Sequence, residues 1–476
     1  MTAPASHNLR ETILRQVDDD FSGHLTRLQR YIGQHSVSAL NDGVLEMAAM
    51  LADDIAILGG DAQVVPGVDF PIVFARIDAG ADKTVLIHGM YDTTPADPDE
   101  WVSPPFEGRC VDYADLGECI VGRGAEDTKG PMAAVLAMVA SHRAAGIPLP
   151  VNLMLIFEAS ELGSASLPSF IDSHIDELRD ADVAYWPWHT QRADGTAVAW
   201  LGTKGIMTLK MRVRGGPWGG PVATEAHGLH AIWVANPMHR LVAALASLKS
   251  PDDHEIVVEG FYDPVPAPTE QDQRLIAELA KRVDATALLR EAGAARFKQE
   301  SLLDALRTYC LKTEINISGV SGGTVIEGGH KVELPNEAVA SLDIRPLDGM
   351  TVEHITSCLR NHLDRFGFNE VEIEVLSGYQ GGAMPVDNWA VHALLETYRE
   401  TGCDPEVWPR SSAGIASFQF IEKIGIPWIA TTLGHSGHKH APDEYLQVKG
   451  FRDAIDFITR LMWRLADTDL SAEGRR

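Results

Sequence analysis

Residues 120–158 read IVGRGAEDTKGPMAAVLAMVASHRAAGIPLPVNLMLIFE, and this stretch decides the fold class. It opens on a short apolar strand, turns at Gly122-Arg123-Gly124 and enters a helix expected over about Pro131–Ala145. VNLMLIFEA, from Val151, is an unbroken apolar run, the signature of a strand covered on both faces. Strand, turn, helix and strand in that order predict an α/β fold around a central, mostly parallel sheet.

The same alternation extends to both sides. Ile13, Leu14, Val17, Phe21, Leu25, Leu28 and Ile32 form one apolar helical stripe. A second helix runs to about Leu58 and stops at Gly59-Gly60. PIVFARI, from Pro71, and KTVLIH, from Lys83, read as strands, and SLPSFIDSHIDELRD, from Ser166, as a helix. Near Gly202 the pattern changes. LKMRVRGG, from Leu209, alternates like a half-exposed strand. A helix around Met238–Leu248, a helical stretch over Glu270–Leu306 and the amphipathic TVEHITSCLRNHLDRFG, from Thr351, follow. After Gln380-Gly381-Gly382 the α/β pattern returns, with helix Trp389–Thr401, strand IPWIATT and helix Phe451–Leu465. The reading is one domain built from 1–205 and 380–476, interrupted by an inserted α+β domain over 206–379.

Composition bounds the function. A chain of 476 residues with 45% hydrophobic content is long enough for two or three cores. A net charge of −27 argues against binding to a phosphate backbone. Five cysteines without a C-x-x-C pattern argue against a disulfide scaffold or a thiolate zinc ribbon. The first residues lack the apolar core of a signal peptide, and no run reaches ~18 apolar residues. The expectation is a cytoplasmic protein with no nucleic-acid partner and no membrane span.

Four segments place polar residues where an α/β sheet gathers its chemistry, at strand ends. They are IHGMYDTTPADPDEW (87–101), GRGAEDTKGP (122–131), FEASELGS (157–164) and GHSGHKHAPDEY (434–445). Together they supply carboxylates and imidazoles without a thiolate, a set suited to zinc, manganese or iron.

These four segments, in this order, with a domain inserted before the last, resemble the M20 family of metallopeptidases and amidohydrolases. The resemblance implies that the split domain is catalytic and that the inserted one is a lid and dimerisation domain. It also implies a hydrolase of C–N bonds acting on a small substrate, usually with two metals bridged by an aspartate. On that basis the bridging residue falls on Asp127, and Glu161 and His440 complete one metal. The second metal's histidine position falls on Met90, two before Asp92, and its carboxylate position falls on Trp188. Both departures remove ligands of the same ion, since an indole offers no lone pair and a thioether suits hard ions poorly. The expectation is therefore one divalent ion. A site rebuilt from His88, His189, His435 or His438 stands as the alternative.

The general base is also displaced. The resemblance puts it at Ser160, which cannot accept the proton by itself; Glu158 on the same strand face is the substitute candidate, and a register one residue over would make Glu161 the base and leave the metal short of a ligand. Asp92 would orient a neighbouring ligand. In the lid, His227, with His230 as rival, matches a histidine that stabilises the developing oxyanion. Arg345 matches an arginine that binds a substrate carboxylate, and Gly414 lies in a substrate-contacting loop. Met90, Trp186 and Trp188 favour an aromatic or apolar substrate, up to an aryl-amine deaminase. A dipeptidase or N-acyl amino acid deacylase and a non-catalytic binding protein are the competing readings. Asp127 as a simple helix cap and Lys129 as its ion-pair partner are the plainer ones.

Overall fold

A computed structural model describes residues 3–159, 165–325 and 331–468. The chain divides into two compact units: 1–202 with 384–409 and 419–476, and 203–383 with 410–418.

Among the described residues the first unit carries a nine-stranded sheet. Its order is Asp61–Val65, Ile72–Ile77, Asn152–Glu158, Thr84–Met90, Val183–Gln191, Trp428–Gly437, Tyr445–Gln447, Gly117–Val121 and Arg109–Tyr113. The strands from Asn152–Glu158 to Trp428–Gly437 run parallel, and the flanking pairings are antiparallel. The carboxyl ends of the four parallel strands converge on one edge, with Glu158 and Met90 in register. Helix Lys129–Ala145 is buried along most of its length and ends at Gly146 in the left-handed region. That all-round apolar surface is covered by helices Ala3–Asp19, Phe21–Gly33 and Val448–Asp467. The single N-terminal stripe is carried by two helices, because a new one starts after Asp20, whose carbonyl accepts from Gly23 and His24.

The second unit has a four-stranded antiparallel sheet, Ile315–Ser321, Glu337–Ile344, Ile206–Arg214 and Val371–Tyr379. Helices Pro237–Ala246 and Val352–Arg365 bury Leu241, Leu245, Ile355 and Leu359 in a core with Met207, Leu209 and Met211. The stretch expected to be helical over Glu270–Leu306 is broken into Glu270–Arg282, Ala285–Glu291 and Leu302–Leu311. Asp284 and Ser301 cap the later two, accepting from Thr286 and Asp304. Segment Arg410–Phe418 belongs to this unit because Ser411–Gly414 pairs with Gly202–Lys204. Among the described residues no helix is long and apolar enough to cross a membrane.

In the first unit two loops are locked together by one side chain. Glu444 is fully buried. Its Oε1 accepts from the backbone N–H of Gly124 (3.1 Å), Glu126 (2.8 Å) and Asp127 (3.0 Å). Its Oε2 accepts from Arg123 Nη1 at 2.7 Å, and Arg123 donates to the Ala441 carbonyl at 3.2 Å. Glu444→Ala would leave three N–H groups, two of them buried, and a buried guanidinium without their acceptor. The expected cost is roughly 3–5 kcal/mol, read as a lower urea midpoint; an unchanged midpoint would contradict this account.

The helices around Lys129–Ala145 are also pinned by two neutral histidines. Trp463 Nε1 donates to His142 Nε2 at 3.2 Å, so that nitrogen carries no proton, and Nδ1 faces the Met138 carbonyl. Ser141 donates to Ala137, so His24 Nε2 donates to the Ser141 hydroxyl at 3.0 Å. Burial lowers both rings to about 4. The unfolded chain therefore takes up protons that the folded chain refuses. Stability is full above about pH 6.5 and falls as pH drops toward 4, by about 1.4 kcal/mol per unit of depression at each ring. Urea unfolding at pH 7.5, 5.5 and 4.5 checks this, with His24→Asn flattening the slope.

Candidate metal and active site

Asp127 ends the turn that leads into helix Lys129–Ala145, and His440 sits in the loop after Trp428–Gly437. Asp127 is 3% exposed. His440 Nε2 stands 3.1 Å from Asp127 Oδ2. His438, His440 and Asp443 all have left-handed backbone, with φ of 61°, 58° and 55°. Such positions persist only where the surroundings hold them, and they collect at functional sites. Two ligands of one tetrahedral zinc, each about 2.0–2.2 Å from it, stand about 3.3–3.5 Å apart. Asp127 and His440 thus fit a shared divalent ion by spacing and by donor type. Glu161, the third expected ligand, and Ser160, the expected base position, lie outside the described residues.

Position 188, where a carboxylate of a second ion is expected, carries an indole. The Trp188 ring is packed edge-on by Trp200, with centroids 5.3 Å apart, and lies 6.2 Å from Trp186. Lys439 Nζ stands 3.4 Å from the Trp188 ring centroid and 2.9 Å from Asp127 Oδ2. Met90 ends its strand, and its carbonyl accepts from the Thr128 hydroxyl. Asp92 follows and is fully buried.

Three of the four spare histidines are engaged elsewhere. His88 Nε2 and Glu158 Oε1 form a buried pair at 2.7 Å, with the His88 ring against Trp186 and Phe420. Glu158, the candidate base, is therefore held by His88. His435 contacts the Gln191 carbonyl and the Tyr445 hydroxyl, each at 3.0 Å, and His438 the Pro442 carbonyl at 3.1 Å. His189 is buried with neither ring nitrogen bonded, and burial lowers it to about 3. Among the described residues no three of His, Cys, Asp or Glu gather as a metal cluster.

Three residues of this site escape a reading of the sequence. Lys439 and Glu444 flank the His440 motif, and nothing in the motif tells what they touch. Glu126 is the third. Burial pushes its carboxyl up to about 8, against the pull of Lys439 and with the help of Glu444 and Asp127. Its Oε2 has no hydrogen-bond partner. An acid directly before Asp127 was the available signal. Lys129 pairs with neither Glu126 nor Asp127. Its Nζ donates to the carbonyls of Tyr31 (2.9 Å) and Gln34 (2.6 Å). Nor does Asp127 cap the helix: Thr128 holds that position, with no side-chain cap.

In the second unit Arg345 and Gly414 are neighbours. A Cβ on Gly414 would stand 3.3 Å from Arg345 Nη1 and 2.8 Å from Ile206, so this position demands glycine. Arg345 Nε lies 3.4 Å from Asp343, and Tyr379 donates to the Gly414 carbonyl at 2.8 Å. His227 is exposed, its Nδ1 accepting from Leu229 at 3.2 Å, while His230 rests 5.5 Å from the Trp233 ring.

Comparison with known proteins matches residues 86–464 to the profile described as peptidase family M20/M25/M40. The Cys-Gly metallodipeptidase DUG1 of Candida albicans is 29% identical over 371 residues, 70% of this chain and 72% of that protein. The Beta-Ala-His dipeptidase of Homo sapiens is 27% identical over 431 residues, 84% of this chain and 81% of that one. Among solved structures, an M20 family metallo-carboxypeptidase, Sso-CP2 from Sulfolobus solfataricus, superposes with a TM-score of 0.84. It is 27% identical, and the match covers 93% of this chain and 99% of that one. A match over most of the chain, together with turn and loop motifs that meet at Asp127 and His440, leads to one conclusion: the chain belongs to peptidase family M20/M25/M40.

Proposed function

We propose that the chain hydrolyses the amide bond of a dipeptide-like substrate at a centre holding one divalent metal between Asp127, Glu161 and His440. Metal-dependent hydrolysis of a C–N bond is the chemistry of its family. The observation that carries the mononuclear reading is the ammonium of Lys439, which stands between Asp127 and the Trp188 ring. When bound, the metal supplies an activated water and a Lewis acid.

The chain's own residues do the rest. Glu444 fixes the turn that presents Asp127, and the left-handed backbone of the 438–443 loop presents His440. Glu158 is assigned to His88 rather than to proton transfer. Arg345 beside Gly414 is the proposed partner of a substrate carboxylate, and His227 the proposed oxyanion donor. The dipeptidases among the relatives favour a peptide over an aryl amine. So does the use of the tryptophan faces: Trp186 and Trp188 are packed by His88, Trp200 and Lys439, which leaves less reason to read them as a pocket for an aromatic substrate.

A homodimer through the second unit is part of the same proposal. Strand Ile315–Ser321 is an edge of its sheet, and Ile317 and Val320 are exposed on it. Light scattering on the purified chain should give twice the mass of 51.8 kDa, and Val320→Lys should shift it toward the monomer.

Elemental analysis with a substrate panel of dipeptides, N-acyl amino acids and aryl amines tests the function. The expected outcome is one metal per chain and turnover of dipeptides. Asp127→Ala and His440→Ala should lose the metal and at least about 100-fold in kcat/KM, in the range of removing a principal catalytic group. Metal binding without turnover of any of these classes would favour the binding protein, and turnover of aryl amines alone would reinstate the deaminase.

A further inference from the structure

We propose that the ammonium group of Lys439 takes the place of the second metal ion, as a covalently attached cation that neutralises Asp127 and excludes a second divalent ion. This rests on the mononuclear reading above and deepens it.

The geometry is specific. Asp127 is almost wholly buried, and a carboxylate there requires a cation or several donors. Lys439 Nζ meets its Oδ2 at 2.9 Å on one side and the Trp188 ring at 3.4 Å on the other. Indole is the strongest aromatic partner of a cation. Trp188 is itself braced by Trp200 and Trp186, so the face it offers is fixed. The residue that stands where a ligand carboxylate is expected thus offers a π face, suited to an ammonium and unsuited to a metal. Trp188 and Lys439 therefore make chemical sense as a pair: the indole offers no ligand atom, and the lysine supplies a charge that its ring can hold. A second divalent ion at this place would meet an ammonium within contact distance and would find no lone pair on Trp188.

Lys439 is thus a positioning residue. It acts on the metal through Asp127, and its effect on metal affinity separates this role from a merely structural one. Loss of a structural prop would weaken metal binding. Loss of a repelling cation that shares the Asp127 carboxylate should tighten it.

The test is zinc stoichiometry by elemental analysis and zinc affinity by chelator competition, on the full chain and two variants. Wild type should hold one zinc. Lys439→Met should still hold one, bound at least about tenfold more tightly, the sign expected on removing a neighbouring like charge. Lys439→Arg, which keeps the cation, should stay close to wild type. Unchanged or weaker binding in Lys439→Met, or Lys439→Arg behaving like it, overturns the role of Lys439 while the mononuclear reading stands. Two zinc ions in the wild type overturn both.

Discussion

The carboxylate of Glu444 is the constraint on which the first unit's site depends. It gathers three N–H groups of the 122–128 turn on one oxygen and the Arg123 guanidinium on the other. Without such an acceptor the turn would bury several unpaired donors, each costing about 1–3 kcal/mol. Arg123 in turn holds the Ala441 carbonyl, next to His440. Two loops more than 300 residues apart in sequence thereby share a frame, and the contact of Asp127 with His440 follows from it. A charged cluster so placed is a costly way to stabilise a fold. It is a good way to fix the relative position of two side chains.

The charges around Asp127 show a second principle. A buried carboxylate calls for positive charge, and a chain can supply it from solution or from itself. Here Lys439 and His440 reach the same oxygen. Adjacent side chains on an ordinary extended or helical backbone diverge. The left-handed turns at His438 and His440 change the direction of this loop, and both Lys439 and His440 come to Asp127. Glu126 feels the pull of Lys439 as well, but burial outweighs it and raises this carboxyl to about 8.

Much of the fold was legible in the sequence, because its core elements carry strong local signals. The apolar run after Val151 is a buried parallel strand, and the apolar helix after the glycine turn is buried. Breaks inside helical stretches were less legible: caps such as Asp284 and Ser301 are single polar residues whose role depends on the next turn. At the site, the nearness of Asp127 and His440 was readable because each belongs to a recognisable motif. Lys439 was not. Its partner Trp188 lies some 250 residues away, and a lysine beside a histidine has no local signature. Lys129 misled for a related reason. The nearest acids in sequence are Glu126 and Asp127, but the helix carries its side chain away from them, toward main-chain carbonyls of the N-terminal segment.

That last contact reaches further than an ion pair would. Lys129 lies two residues from Asp127 at the start of its helix, and its ammonium is sealed between Tyr31 and Gln34. A buried ammonium cannot move without giving up both acceptors. The opening helices of the chain, which bring no reactive group, therefore set the height at which the Asp127 turn sits. They work as a foundation for that turn rather than as an appendage. An amino-terminal truncation that removed helix Phe21–Gly33 would take that foundation away.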